Sequence, residues 1–317
     1  MSVDADAGPR LSIIIPCRGH AQELAHCLQG LAAQEGAVQF ETIVVDSASD
    51  PDVRAVAERF PRVVLIAPPT LLGAGAARNL GATHAKADML GFIDADCIPG
   101  PGWVKAALEA VAGGAVMAGG PILDVLPWHF IAASDNRLQF VDFPGRRPAG
   151  AHPYLPGAHL VMPRTIFERT GGFREGTTVA QDVLLTAPVA ADQPDKVRFC
   201  PGMIVQHWGR RDWNEFLQHH WTFGESRAVH RFRVDRSLEW LGRHPALAWV
   251  IVLRRLAYIT LRVLQWNLPD LPRFIMQLPI LICGLVAWTN GFVGGMRMPS
   301  PVDVEGGADH REAQNPS

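Results

Sequence analysis

The sequence predicts an α/β protein: a doubly wound, mostly parallel sheet with flanking helices, plus a C-terminal helical appendage of different character. Three observations predict it. Short runs of β-branched and apolar residues alternate with helical periodicity from Leu11 to Asp94. The chain has 317 residues, 48% hydrophobic and only 19% charged, enough to bury one large core and the reverse of a disordered composition. After His207 it turns first arginine-rich and then apolar.

The elements follow in order. LSIIIP, Leu11 to Pro16, is a strand that proline ends, and Leu24, Leu28 and Leu31 then recur at helical spacing. FETIVVD, Phe40 to Asp46, is a second strand, and Pro51 opens a helix through Val53, Val56 and Ala57. RVVLIA is a third strand, Gly75 to Ala85 an alanine-rich helix, and DMLGFID, Asp88 to Asp94, a fourth strand. AVMAGGPIL reads as one further strand, and residues 121–156 as a long excursion of the kind that shapes a substrate site. GAHLVMPRTIFERTGGF is a strand and a short helix that stops at Gly171-Gly172. A helix from Val179 to Ala190 precedes strands at VRFC and MIVQH.

Between Arg210 and Arg273 stand eleven arginines against six acidic residues. Two apolar stretches follow, Ala246 to Leu268 and Phe274 to Gly295, and the second carries no formal charge over about twenty residues, the length that spans a bilayer. The first holds Arg254, Arg255 and Arg262, which suits a helix lying in the interface. Core helices of a soluble domain have the same composition, and Pro279, Asn290 and the glycines fit that alternative; membrane association is the expectation. The expected division is a disordered start over 1–10, an α/β domain over 11–232, a hydrophobic and basic helical region over 233–298, and a disordered tail over 299–317.

Composition excludes several classes. With 29 basic and 31 acidic residues the net charge is −2, so the chain does not coat nucleic acid. Five scattered cysteines without a CxxC pair exclude a disulfide scaffold and a zinc ribbon, and suit a reducing cytosol. The acidic start MSVDADAGPR is unlike a secretory signal.

Asp94-Ala95-Asp96 follows the fourth strand, where i and i+2 face one way if the backbone stays extended. Two carboxylates at the carboxyl end of a parallel sheet suit a divalent cation and a nucleotide, though a solvated turn looks the same. Asp46 ends the second strand; it reads either as a base or ribose contact or as an Asx-turn residue. Gly73 to Asn79 is no dinucleotide fingerprint, because Arg78 takes the third glycine position and the motif follows the third strand. Arg78 inside a helix N-terminus still suits a pyrophosphate. Asp182 is equally a first-turn carboxylate favoured by the helix dipole and a general base. His207 ends a strand as a metal ligand or a satisfied polar group.

In combination these residues resemble glycosyltransferase family 2, inverting enzymes on the GT-A fold. The resemblance runs from about Leu11 to His230. It is carried by SIIIP, VVDSASD, GAGAARNLG, FIDAD, GAHLVMPR, the GGF turn of Gly171 to Phe173, and Gln181-Asp182 ahead of a helix. It implies that Asp46 binds the nucleotide base, Arg78 steadies the nucleotide, Asp94 meets ribose or metal, and Asp96 the metal; beside these, His207 is a candidate further ligand from its place at a strand end. It implies Asp182 as the base, with Pro16, Gly157 and Gly172 along the substrate site.

Three departures stand out. Ser47 and Ala48 replace the usual acidic or glycine residues, and Gln181 replaces the usual glutamate. The QxxRW signature of processive members is missing, which implies one sugar per encounter. The basic and apolar C-terminal region resembles members acting on lipid-linked acceptors. The expected activity is therefore transfer of a sugar from a nucleoside-diphosphate sugar to a hydroxyl acceptor, lipid-linked or in a cell-envelope polysaccharide. It would need Mn2+ or Mg2+ and take place at the cytoplasmic face of the inner membrane, with no nucleic-acid partner. A sugar-phosphate nucleotidyltransferase, or a membrane-tethered binding module whose catalytic pair has decayed, is the alternative.

Overall fold

A computed structural model describes residues 8–34, 39–176, 180–229 and 245–297. The chain forms two compact units, one through Gly209 and one from Arg210 onward.

The first unit opens as the alternation predicts: β1 (Leu11–Cys17), α1 (Ala21–Ala32), β2 (Phe40–Asp46), α2 (Pro51–Ala57), β3 (Val63–Ile66), α3 (Ala74–His84) and β4 (Met89–Ile93). It continues through β5 (Cys97–Pro99), α4 (Trp103–Ala112), β6 (Met117–Gly119), β7 (Ile122–Asp124), α5 (Phe130–Phe140), β8 (Gly150–Ala151) and β9 (His159–Pro163). It ends with α6 (Arg164–Thr170), α7 (Gln181–Asp192), β10 (Val197–Phe199) and β11 (Val205–His207). The large sheet has the order β3-β2-β1-β4-β9-β6-β10-β8, parallel from β3 to β4, with β9 antiparallel to both its neighbours. Ile13, Ile14 and Ile15 are all fully buried, as a strand covered on both faces requires. Arg164 locks α3 onto the sheet by donating to the carbonyls of Ala82, Ala85 and Ala87 where that helix ends. His159 accepts from Trp103 Nε1 at 2.8 Å in the core, and burial lowers its pKa to about 3, so it stays neutral.

Three expectations need correction. AVMAGGPIL is two strands in two sheets: β6 joins the large sheet, and β7 joins a small one of order β5-β11-β7. The break falls at Gly120, where a Cβ would lie 2.3 Å from the Met203 carbonyl oxygen. The excursion contains a three-turn helix, α5, whose buried face includes Ser134, Asp135 and Asn136; no apolar periodicity announced it. Asp94 to Asp96 is a turn closed by Cys97 N–H donating to the Asp94 carbonyl at 2.9 Å, so strand alternation does not align its carboxylates.

The second unit comprises α8 (Trp213–Val229), α9 (Trp249–Trp266) and α10 (Leu271–Gly295). α8 and α10 meet backbone to backbone: a Cβ on Gly224 would lie 1.8 Å from the Trp288 carbonyl oxygen, and one on Gly291 1.9 Å from that of Trp221. Ala228, Ala248, Trp288 and Phe292 form its small core. α8 thus belongs with α10, on the far side of the division expected at 232, and that position itself lies outside the described residues. Most of the start over 1–10 and all of the tail over 299–317, both expected to be disordered, also lie outside them. Leu268–Gly295 is long and apolar enough to cross a membrane, with a third of its apolar window buried. α9 exposes Trp249, Val250, Leu253, Leu261 and Leu264.

Candidate active site

A cavity of about 390 Å³ opens where β1, β2 and β4 end, the place at which parallel sheets collect ligands. Pro16 and Cys17 line it at the end of β1, Arg18 and His20 just after, Ser47 after β2, and Asp94, Ala95 and Asp96 after β4. The start of α3 adds Leu72, Gly73, Ala74, Ala77 and Arg78, and Gln181 comes from α7. Of the predicted residues the cavity therefore brings together Pro16, Arg78, Asp94 and Asp96. Cys17 is no nucleophile here, since burial, then Asp46, Asp50 and Asp96, push its thiol to about 12.

Asp46 does not line the cavity and is 1% exposed. Its carboxylate accepts from the N–H of Ala48 at 3.1 Å and of Asp50 at 2.8 Å, an Asx arrangement that shapes the loop. Asp50 in turn caps α2 through Asp52 N–H. The residue this loop presents is Ser47, which the sequence marked only as a departure from the family pattern; its hydroxyl donates to the Cys17 carbonyl at 3.1 Å.

Arg78 is the buried centre of the site. Its guanidinium donates to Asp94 Oδ1 at 2.5 Å and lies over the Phe173 ring, 5.1 Å from the centroid, while its Nε has no hydrogen-bond partner among the described residues. Gly157 passes so close that a Cβ there would sit 3.3 Å from Arg78 Cζ. Asn79, the next residue, clamps the GGF turn: its Oδ1 accepts from Phe173 N–H at 2.9 Å and its Nδ2 donates to the Phe173 carbonyl at 2.8 Å. Gly172 supplies that turn with φ +74° and is not a cavity residue.

Asp182 lies in the first turn of α7, whose N-cap is Ala180, so it is not the cap residue. Its carboxylate accepts from Val183 N–H at 2.8 Å and Gly157 N–H at 3.3 Å. Burial raises its pKa, against the lowering effects of the Val183 N–H, Arg78 and the Gly157 N–H. Gln181 beside it lines the cavity, its Oε1 close over Gly75.

On the other side, antiparallel pairing of β11 with β5 sets His207 opposite Cys97 and beside Asp96. His207 Nε2 and Asp96 Oδ2 converge to 3.4 Å, and the ligand atoms of Asp96, Cys97 and His207 all lie within 4.8 Å of one another. A carboxylate oxygen and an imidazole nitrogen aimed at one point fit a divalent cation of the Mn2+ type. Cys97 fits it poorly, because burial and Asp96 hold its thiol protonated. Asp94 is engaged by Arg78 rather than by this pair. The two carboxylates of the DxD thus face different partners.

The family described as Glycosyl transferase family 2 matches residues 12–147. Glycosyltransferase AglE of Haloferax volcanii is 23% identical over 275 residues, 85% of this chain and 84% of that protein. Other curated relatives are matched over 16% to 56% of their own length, so their activities are not carried over whole. Among solved structures, the mannosyltransferase PcManGT from Pyrobaculum calidifontis in complex with GDP-Man and Mn2+ aligns with a TM-score of 0.53 at 17% identity, covering 99% of this chain and 83% of that one. GalNAc-T7 with UDP, GalNAc and Mn2+ aligns with a TM-score of 0.50 at 14% identity, over 72% of this chain and 50% of that one. These two likenesses concern the fold.

Proposed function

We propose that this chain is a family 2 glycosyltransferase on the GT-A fold, which transfers one sugar from a nucleotide sugar to a hydroxyl acceptor with inversion; the family match over residues 12–147 and the likeness to AglE and PcManGT support the reading. One observation carries the reading: Arg78 lies between two differently equipped sides, Asp94 with Asp96 and His207 on one, Asp182 with Gly157 on the other.

The donor's diphosphate would enter the cavity at the start of α3, where Arg78 supplies positive charge and an Nε–H that has no partner among the described residues. Asp96 and His207 would hold a divalent cation, Mn2+ or Mg2+, which when bound neutralises charge on the departing diphosphate. Asp182 takes the proton of the acceptor hydroxyl as that oxygen attacks C1. The C1–O bond to the diphosphate breaks on the opposite face, and its electron pair leaves with the phosphate, so the anomeric centre inverts in one displacement. A raised carboxyl pKa suits this task, because the conjugate acid lies nearer the working pH than an ordinary aspartate's. The Val183 and Gly157 N–H groups hold the carboxylate in place for the proton.

The acceptor in this proposal is lipid-linked or part of a cell-envelope glycan, and the enzyme works at the cytoplasmic face of the inner membrane. The support is the exposed apolar row on α9 together with Ile275, Met276 and Ile282 on α10, alongside the arginines of this region. Proton NMR of the product's anomeric coupling, with a donor of defined configuration, tests the reading. Inversion is expected; retention would overturn it.

A further inference from the structure

We propose that Asn136 and Asp124, which touch neither donor nor acceptor in this scheme, set the tautomer of His207 and so aim its Nε2 at the cation site. The proposal rests on the reading of Asp96 and His207 as cation ligands.

A carboxylate has only acceptor atoms, so the Asn136 atom that meets Asp124 Oδ1 at 2.8 Å is the amide nitrogen. The same Nδ2 reaches the main-chain carbonyl of His207 at 3.2 Å. Two acceptors on one side fix the amide orientation, and Asn136 Oδ1 is thereby turned to His207 Nδ1 at 2.5 Å. An acceptor at that nitrogen calls for Nδ1–H. A neutral imidazole carries a single N–H, so the lone pair falls on Nε2, which faces Asp96 Oδ2 at 3.4 Å. Two lone-pair atoms converging there are what a cation completes.

The support is rigid. Asn136 is 4% exposed on α5, and β7 pairs with β11 so that Asp124 stands in register with His207. The Phe140 ring packs edge-on against the imidazole, 5.1 Å between centroids at 70°. Without the amide the ring would divide between two tautomers and present its lone pair less often. Partners of this kind typically change metal affinity by roughly 10–100-fold.

The experiment uses the full chain, labelled with 15N-histidine, first without metal and then titrated with Mn2+ followed by EPR. His207 signals, assigned with His207→Gln, are expected to show a protonated Nδ1 and an unprotonated Nε2. Asn136→Leu and Asp124→Leu are expected to mix the tautomers and weaken Mn2+ binding about 10–100-fold. Asp124→Asn, which can still offer an oxygen to the Asn136 amide, is expected to restore both. Protonation at Nε2 in the metal-free wild type overturns the proposal, as do unchanged tautomer and affinity in both leucine variants. If either variant fails to fold, the wild-type spectrum and the other variant decide. Mn2+ binding unaffected by His207→Gln overturns the ligand reading and the aiming role with it, and the tautomer spectrum then shows separately whether the hydrogen-bond chain exists.

Discussion

Two parts of the site are built differently. Pro16, Ser47, Arg78 and Asp94 come from the end of a strand, from the residue directly after one, or from the first turns of a helix, each inside a local motif. The side bearing His207 depends on pairings between distant segments: β5 with β11, β7 with β11, and α5 laid across them through Asn136. A charge needed at a strand end can be supplied by the next residue in sequence. A ligand set with fixed ring orientation needs a shell of partners, and these came from separate elements.

Substitutions can sharpen that contrast. The largest effect is expected at Asp182: Asp182→Asn should lower turnover by roughly 10²–10⁴ while donor affinity, measured by calorimetry, stays near wild type. Near-normal turnover would move the base elsewhere.

Asp96→Asn comes second. It should weaken Mn2+ binding in an EPR titration, and chelation of the wild type should abolish turnover that added Mn2+ restores. Full turnover in excess chelator would remove the cation from the scheme and leave Asp96 a donor-side residue like Asp94.

The pH dependence of Asp182 gives a smaller effect with a definite sign. Its folded pKa is raised, so its contribution to stability is present below the unfolded value of ~3.9 and is lost as pH rises through the folded value. Asp182→Asn lacks this dependence. Its melting temperature relative to wild type should therefore be higher at pH 7 than at pH 4, and kcat/KM of the wild type should fall on the acid side of the raised pKa. A melting difference independent of pH would contradict the burial that sets the shift.

The smallest change in stability is expected on the second unit. Leu253 and Leu261 on α9 are 69% and 63% exposed, so Leu253→Glu and Leu261→Glu should each alter stability by about 0.5 kcal/mol or less. Both should reduce flotation with vesicles containing anionic lipid. Unchanged flotation would turn attention to α10 alone.

Much of the first unit was legible. Buried parallel strands read as continuous apolar runs, so β1 to β4 and the helices between them could be placed from periodicity. The cavity residues Arg78, Asp94 and Asp96 were found because they sit at strand or helix ends. Asp46 was ambiguous for a physical reason: an aspartate after a strand serves an Asx turn as readily as a ligand, and only hydrogen-bond partners separate the two. α5 was missed because its buried face is partly polar, which leaves little amphipathic signal.

The sequence by itself determined the fold class, the positions of the first four strands and the apolar character of the C-terminal helices, because all three are functions of local side-chain pattern. Only the tertiary structure decided that AVMAGGPIL divides between two sheets, that α8 packs on α10, and that Asp94 pairs with Arg78 while Asp96 faces His207. The reason is distance along the chain. Asp96 and His207 are brought within 3.4 Å by a strand pairing, and Asn136 reaches the same ring from a helix. Such contacts arise from register and packing between elements, which no local window of residues encodes.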